Sequence, residues 1–395
     1  MKIKFSKLLL IFLISLNAFG DAKLTGYVKA YPQYFTNTFV DDEINDFMLN
    51  LPLRASFFWD MSDFWGLEFS WQLIPMVGQS SVGLFNLLTT ITFDYRAIYT
   101  DPLLVKPNEN SDTKFILFNN PDRFFVSYSS DNFTMEVGRQ IVAFGSSRFV
   151  NPTDVVTPFG LNTIDREVRP GVDAVRLKYF WGDYNLDIGM LFGKDRLLKK
   201  SDVSIKESAI FVRAVGTAGG NDFYLMYQRF KENNLFGVDF TGGLGGATIW
   251  AEYSYVNSKK QDSIDYSRLT VGGQYFFVGE WSIFGEYHYN GIGTNNQDEY
   301  LPLRFNVSHR DANLFLIGKH YLALFGTHKF SALNDISLGG TWNLIDSSLL
   351  INGLFTWNNL ENHYVDVGLF AGVGAEGGEF VRYLDSYYLA YRFYY

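Results

Sequence analysis

The chain has 395 residues with no cysteine, 36 glycines, only 10 prolines, 18% aromatic residues and a formal net charge of −9. Without cysteine there is no disulfide or thiolate chemistry, and the acidic balance argues against a nucleic-acid partner. Mean hydropathy close to zero fits segments in which apolar and polar residues alternate and cancel.

Lys2, Lys4 and Lys7, the apolar run 8–16 and the small-x-small triplet Ala18-Phe19-Gly20 predict a secretory signal over residues 1–20. Losing those three lysines takes the net charge from −9 to −12. No later stretch reaches the ~20 apolar residues that a membrane-spanning helix needs. Residues 21–395 contain no Pro/Ser-rich linker and no low-complexity block, so they read as one domain.

The clearest element is 47–60. Phe47, Leu49, Leu51, Leu53, Ala55, Phe57 and Trp59 alternate there with Met48, Asn50, Pro52, Arg54, Ser56, Phe58 and Asp60. A period of two marks a strand with two different surroundings, and fourteen residues suit a tilted barrel crossing better than a globular strand. Trp65, Leu67, Phe69, Trp71 and Leu73 repeat the pattern after a short turn, and the aromatics at the segment ends match an interfacial girdle. Extending this count predicts strands near 22–36, 46–60, 64–75, 121–129, 132–143, 171–181, 183–193, 206–217, 221–230 and 233–241. Others follow near 246–257, 265–277, 280–289, 313–325, 335–345, 349–357, 363–373 and 385–395.

Eighteen strands is an even number, as a closed antiparallel transmembrane β-barrel with both ends on one side requires; sixteen is the alternative count. Short links alternate with long ones at 76–120, 144–170, 290–312 and 374–384, the pattern of short periplasmic turns and long outer loops. Residues 88–99 also alternate, but counting them breaks this rhythm, so they are placed within the first long loop.

If the apolar phase faces lipid, the other phase lines a lumen. It carries Arg54, Arg123, Arg176, Lys178, Arg268, Lys319 and Arg392 against Glu68, Glu136, Glu252 and Glu286. The excess negative charge is then expected in loops such as Asp41-Asp42-Glu43 and Asp298-Glu299. These inward charges either pair and keep the lumen wet or present a field that favours anions. The segment 144–170, with Arg139 just before it, holds Arg148, Arg166 and Arg169 beside Asp154, Asp165 and Glu167. Asn151-Pro152 and Thr157-Pro158 give it fixed turns. It either folds inward to narrow the pore or packs outward over the rim.

The last strand, SYYLAYRFYY, puts Tyr387, Leu389, Tyr391, Phe393 and Tyr395 on one face and ends on an aromatic residue. It resembles the C-terminal signal of bacterial outer-membrane barrels, which implies the barrel-assembly machinery as a partner. The GRQ run at 138–140 with Gly145, NPTD at 151–154 followed by Pro158-Phe159, and RPGVDAVRLKY at 169–179 are similar to alginate-export-like and related porins of Gram-negative outer membranes. HYLALF at 320–325, TWNLIDSS at 341–348 and EGGEF at 376–380 extend the resemblance. It implies a monomeric eighteen-stranded pore set in outer-membrane lipid and lipopolysaccharide, although this chain has fewer arginines than an alginate exporter's lumen implies.

Enzyme signatures are lacking. His288, His309, His320, His328 and His363 form no metal-spacing pair, and no serine flanks His288 and Asn290 convincingly for hydrolysis. The glycines at 242–246 fit a turn, since no helix follows them as a phosphate loop requires. The Asp41-Asp42-Glu43 triplet could hold Ca²⁺, but it also suits a solvated tip or lipopolysaccharide-bridging ions. The expected function is passive diffusion of small polar, anionic solutes without a cofactor. The alternatives are a scaffold barrel for polymer export or for a partner such as a cytochrome, and an outer-membrane enzyme.

Overall fold

The computed structural model describes residues 21–37, 44–78, 94–98, 103–105, 114–161, 163–194, 202–260 and 263–395. The signal segment and the Asp41-Asp42-Glu43 triplet lie outside them, as does most of 88–99. Its strands are β1 (Ala22–Asn37), β2 (Ile44–Asn50), β3 (Leu53–Asp60), β4 (Trp65–Gly78), β5 (Leu103–Val105), β6 (Lys114–Ser130) and β7 (Phe133–Gln140). Then come β8 (Val172–Trp181), β9 (Tyr184–Leu191), β10 (Ala209–Ala218), β11 (Asn221–Phe230), β12 (Asn233–Leu244), β13 (Ala247–Ser258) and β14 (Tyr266–Phe276). The set ends with β15 (Trp281–Asn290), β16 (His320–Ser331), β17 (Asn334–Asn343), β18 (Leu349–Leu360), β19 (His363–Val373) and β20 (Asp385–Tyr394).

Every long strand pairs antiparallel with its sequence neighbour, and β1 pairs with β20 over Tyr27↔Tyr394 to Thr36↔Asp385, which closes the wall. Closure matters because an open edge in hydrocarbon leaves its N–H and C=O groups without partners. The barrel has eighteen crossings. β2 and β3 form a single crossing along β1. Pro52, which has no N–H to give the ladder, interrupts it, but its carbonyl still accepts from the Lys29 amide at 2.9 Å. The short β5 only flanks β6.

One expectation needs correction. The strand expected at 313–325 is β16 at His320–Ser331. Residues 313–319 instead run into the barrel, where Leu316 and Ile317 are buried. The described part of 88–99, residues 94–98, is turn and bend, in line with its placement in the first long loop, and its buried Asp94 meets Lys231 at 2.6 Å.

The two faces differ as the alternation requires. Leu225, Val238, Ile283, Leu338 and Leu389 are exposed on the outside, and their sequence neighbours turn inward. At the short-turn end Trp65 meets Tyr128 at 5.1 Å, Trp181 stacks on Tyr184 at 6.3 Å, and Trp281 stacks on His328 at 4.4 Å. Rings with an apolar body and a polar rim settle at the boundary between hydrocarbon and water. The opposite end carries the long segments, including helices α1 (Tyr300–Arg304) and α2 (Val307–Asp311). α2 holds His309, which burial lowers to a pKa of about 4.

Leu225, 63% exposed on β11, provides a test of the lipid-facing surface. Leu225→Arg is expected to destabilise the vesicle-inserted barrel by about 2–4 kcal/mol in a urea titration. The inward-facing Ser337→Arg is expected to stay near neutral. Equal costs for the two would show that the faces are wrongly assigned.

Candidate functional site

The segment 144–170 enters the barrel. Two carboxylates on the wall hold it by its backbone. Glu286 on β15 accepts the amides of Arg148 at 3.0 Å, Phe149 at 3.1 Å and Val150 at 3.0 Å, plus Trp250 Nε1 at 2.8 Å. Glu252 on β13 accepts the Thr153 amide at 2.7 Å, Thr153 Oγ1 at 2.6 Å and the Ser147 amide at 3.3 Å. Both glutamates are about 1% exposed. Four donors on Glu286 and three on Glu252 are charge-assisted bonds that replace the water these buried carboxylates lose.

Asn151-Pro152 supplies the bend between the two anchors, and Ser254 Oγ donates to the Pro152 carbonyl at 2.9 Å. The far end of the segment reaches the opposite wall, where Lys29 on β1 meets Asp165 at 2.9 Å and Glu167 at 2.6 Å. Tyr394 Oη also donates to Glu167, at 2.6 Å. The segment therefore spans the lumen, resolving the inward and outward alternatives in favour of the inward one.

Six of the eleven expected lining cations are ion-paired, five of them in the wall. Arg54 and Arg123 share Asp122 at 3.0 and 3.1 Å. Arg139 meets Asp173 at 2.7 Å, Arg176 meets Asp187 at 2.5 Å, and Arg392 meets Asp366 at 2.5 Å. Arg169 is paired with Asp154 inside the loop. The expectation that negative charge is pushed out into the loops is therefore corrected, because Asp122, Asp187 and Asp366 turn inward and serve as partners.

Two local irregularities explain this. The register of β4 on β6 shifts between Ser70 and Trp71, so that Asp122 is an extra residue and both it and Arg123 are buried. Gly138 has φ of +125°, and a Cβ there would sit 2.2 Å from the Phe124 carbonyl. That kink turns Arg139 into a covered pair with Asp173, whose carboxylate also accepts the Ile98 amide at 2.8 Å. Arg96, beside it, has its pKa lowered to about 9, first by burial and then by Arg139.

Arg148, Arg166, Lys178, Arg268 and Lys319 have no ion-pair partner among the described residues. Lys178 and Lys319 are half-buried on or beside the wall. Arg166 is held only by carbonyls, those of Leu161 at 2.7 Å and of Gly160 and Thr163 at 3.3 Å. Arg148 bonds Gln274 and lies 5.1 Å over the Trp250 ring. Two cavities adjoin the loop, of about 290 and 250 Å³. Arg148, Phe149, Leu161 and Arg166 line both. These two arginines thus stand where the two spaces meet.

Sequence reasoning missed Lys29 as an inward cation. The strand 22–36 carries aromatics on both phases, with Tyr27 and Tyr31 buried and Tyr34 exposed, so apolar character does not mark its lipid side. It also missed the anchoring roles of Glu252 and Glu286, since alternation reports a face but not a partner.

The sequence matches no family model and no curated protein. By structure, the chain is similar to OccK7 (OpdD) of Pseudomonas aeruginosa at a TM-score of 0.57 and 11% identity, covering 95% of this chain and 99% of that one. It is similar to OccAB1 of Acinetobacter baumannii at 0.54 and 9% identity, covering 94% and 96%. The outer membrane protein opdK of Pseudomonas aeruginosa gives 0.55 and 8% identity, covering 94% and 98%. None of these carries the alginate-export likeness further. The fold is that of Gram-negative outer-membrane porins.

Proposed function

We propose that this protein is a channel of the bacterial outer membrane for passive diffusion of small anionic solutes, narrowed by the segment 144–170. The carrying observation is the position of Arg148 and Arg166 between two cavities, without a carboxylate partner among the described residues. A unit charge about 5 Å from an anion contributes roughly 0.8 kcal/mol even in water, about fourfold in occupancy. Salt weakens this and a drier constriction strengthens it. The paired arginines of the wall add little net field. No step of such transport calls for catalysis or a cofactor, and specificity resides in the lumen.

Planar-bilayer recording tests this reading. In a KCl gradient the reversal potential is expected to report chloride preference. Arg148→Ala combined with Arg166→Ala is expected to lower that preference several-fold and to raise single-channel conductance. Arg176→Ala, which removes a cation already paired with Asp187, is expected to change it far less. Potassium preference in the unaltered protein would refute the proposal.

The loop anchor gives a second check. Glu286→Gln replaces a carboxylate that accepts three consecutive amides with a neutral carbonyl. A single charge-assisted hydrogen bond contributes roughly 1.5–3 kcal/mol, so amide exchange at 148–150 is expected to quicken by tenfold or more. Conductance is expected to become noisier. Unchanged exchange would mean that the loop is held elsewhere.

A further inference from the structure

Beside the constriction, the wall of the larger cavity presents acceptors whose orientation is fixed. Thr270 Oγ1 donates to the Val150 carbonyl at 3.0 Å, which uses its one proton. Its 2.8 Å contact with His288 Nδ1 therefore requires that Nδ1 carry the hydrogen. With the ring neutral, Nε2 is a bare acceptor, and it has no partner among the described residues. Asn290 Nδ2 donates to the Leu316 and Gly318 carbonyls at 3.0 and 3.2 Å, so both of its amide hydrogens are used and Oδ1 is left over. Asn313 Nδ2 donates to the Val155 carbonyl at 3.1 Å, and its Oδ1 is likewise unpartnered.

All three residues line the same cavity and are 0%, 1% and 6% exposed. Buried acceptors need donors. Here a donor must come from water or from the passing solute. An ammonium group is a poor candidate, because Arg268 lines this cavity without an ion-pair partner among the described residues, and Arg148 and Arg166 add to its positive field. A neutral hydroxyl meets no such repulsion.

Resting on the anion-channel reading, we infer that this cavity selects hydroxylated carboxylates, such as hydroxy acids and sugar acids, over plain carboxylates of the same length. The carboxylate engages Arg148 and Arg166 while hydroxyls donate to His288 Nε2, Asn290 Oδ1 and Asn313 Oδ1.

Gluconate and hexanoate form a matched pair of six-carbon monoanions for the test. In single-channel recordings of the full chain, gluconate is expected to block current with residence times roughly tenfold longer than hexanoate, the worth of about one net hydrogen bond. His288→Phe is expected to shrink that ratio several-fold. Equal residence times in the unaltered protein, with chloride preference intact, would overturn the inference and leave the anion channel standing, water then serving the acceptors. Potassium preference in a KCl gradient would overturn both. The comparison in the unaltered protein decides the matter even if the variant fails to fold.

Discussion

Two carboxylates in a β-wall, each accepting backbone amides from one inserted segment, are the constraint on which the lumen depends. Glu252 and Glu286 lie on β13 and β15, with β14 between them, and together they bind residues 147–150 and 153. Because all of these bonds to the segment but that of Thr153 Oγ1 go to backbone, they fix its path and leave Arg148, Phe149 and Val150 free to project their side chains. A loop held only at its two ends would pay full conformational entropy for crossing the barrel. Held along its length, with Lys29 gripping its far end, it becomes a rigid partition.

That rigidity sorts the cations into two kinds. Most arginines on strands, Arg268 excepted, stand opposite neighbouring strands at fixed register, where a short aspartate can reach them: Arg176 meets Asp187 on β9, and Arg392 meets Asp366 on β19. A buried charge without such a partner is costly, so the wall arginines and aspartates come together. Arg148 and Arg166 leave the partition rather than the wall, and the nearby carboxylate of Glu286 is taken up by the segment's backbone amides. They stay without an ion-pair partner among the described residues in a chain that is acidic overall, whereas Arg169 of the same segment pairs with Asp154.

Much of the architecture was legible in the sequence, because hydrocarbon imposes alternation and closure imposes an even count. β11, β19 and β20 run nearly as their alternation predicts. Where the reading slipped, a local feature broke the period. Leu314, Phe315, Leu316 and Ile317 look like the start of a strand, yet the Ile317 amide donates to the buried Glu379, whose carboxyl pKa burial pushes up. The real strand, HYLALFGTHKFS, overlaps the expected one at 320–325, and its end at 326–331 was hidden by Gly326 and by polar residues on its inner face. The site was less legible than the fold. Alternation placed Arg54, Arg123, Arg176 and Arg392 on the inner phase, but the bulge at Asp122 and the kink at Gly138 decide who pairs with whom, and neither leaves a periodic trace.

A diffusion channel must also release what it attracts, since binding too tightly blocks conduction. If the whole inner set of arginines were unpaired, their summed field would hold an anion as firmly as a receptor does. Cancelling most of them against aspartates, and leaving Arg148 and Arg166 at the junction of the cavities with Arg268 beside them, keeps the attraction local and weak. The acceptors at His288, Asn290 and Asn313 then act on a solute already drawn in by charge. They discriminate by a hydrogen bond in a place where the carboxylate alone cannot, because every small organic anion carries that same group. Attraction and discrimination thus reside on different elements, the partition and the wall, and the backbone anchors at Glu252 and Glu286 keep the two in register.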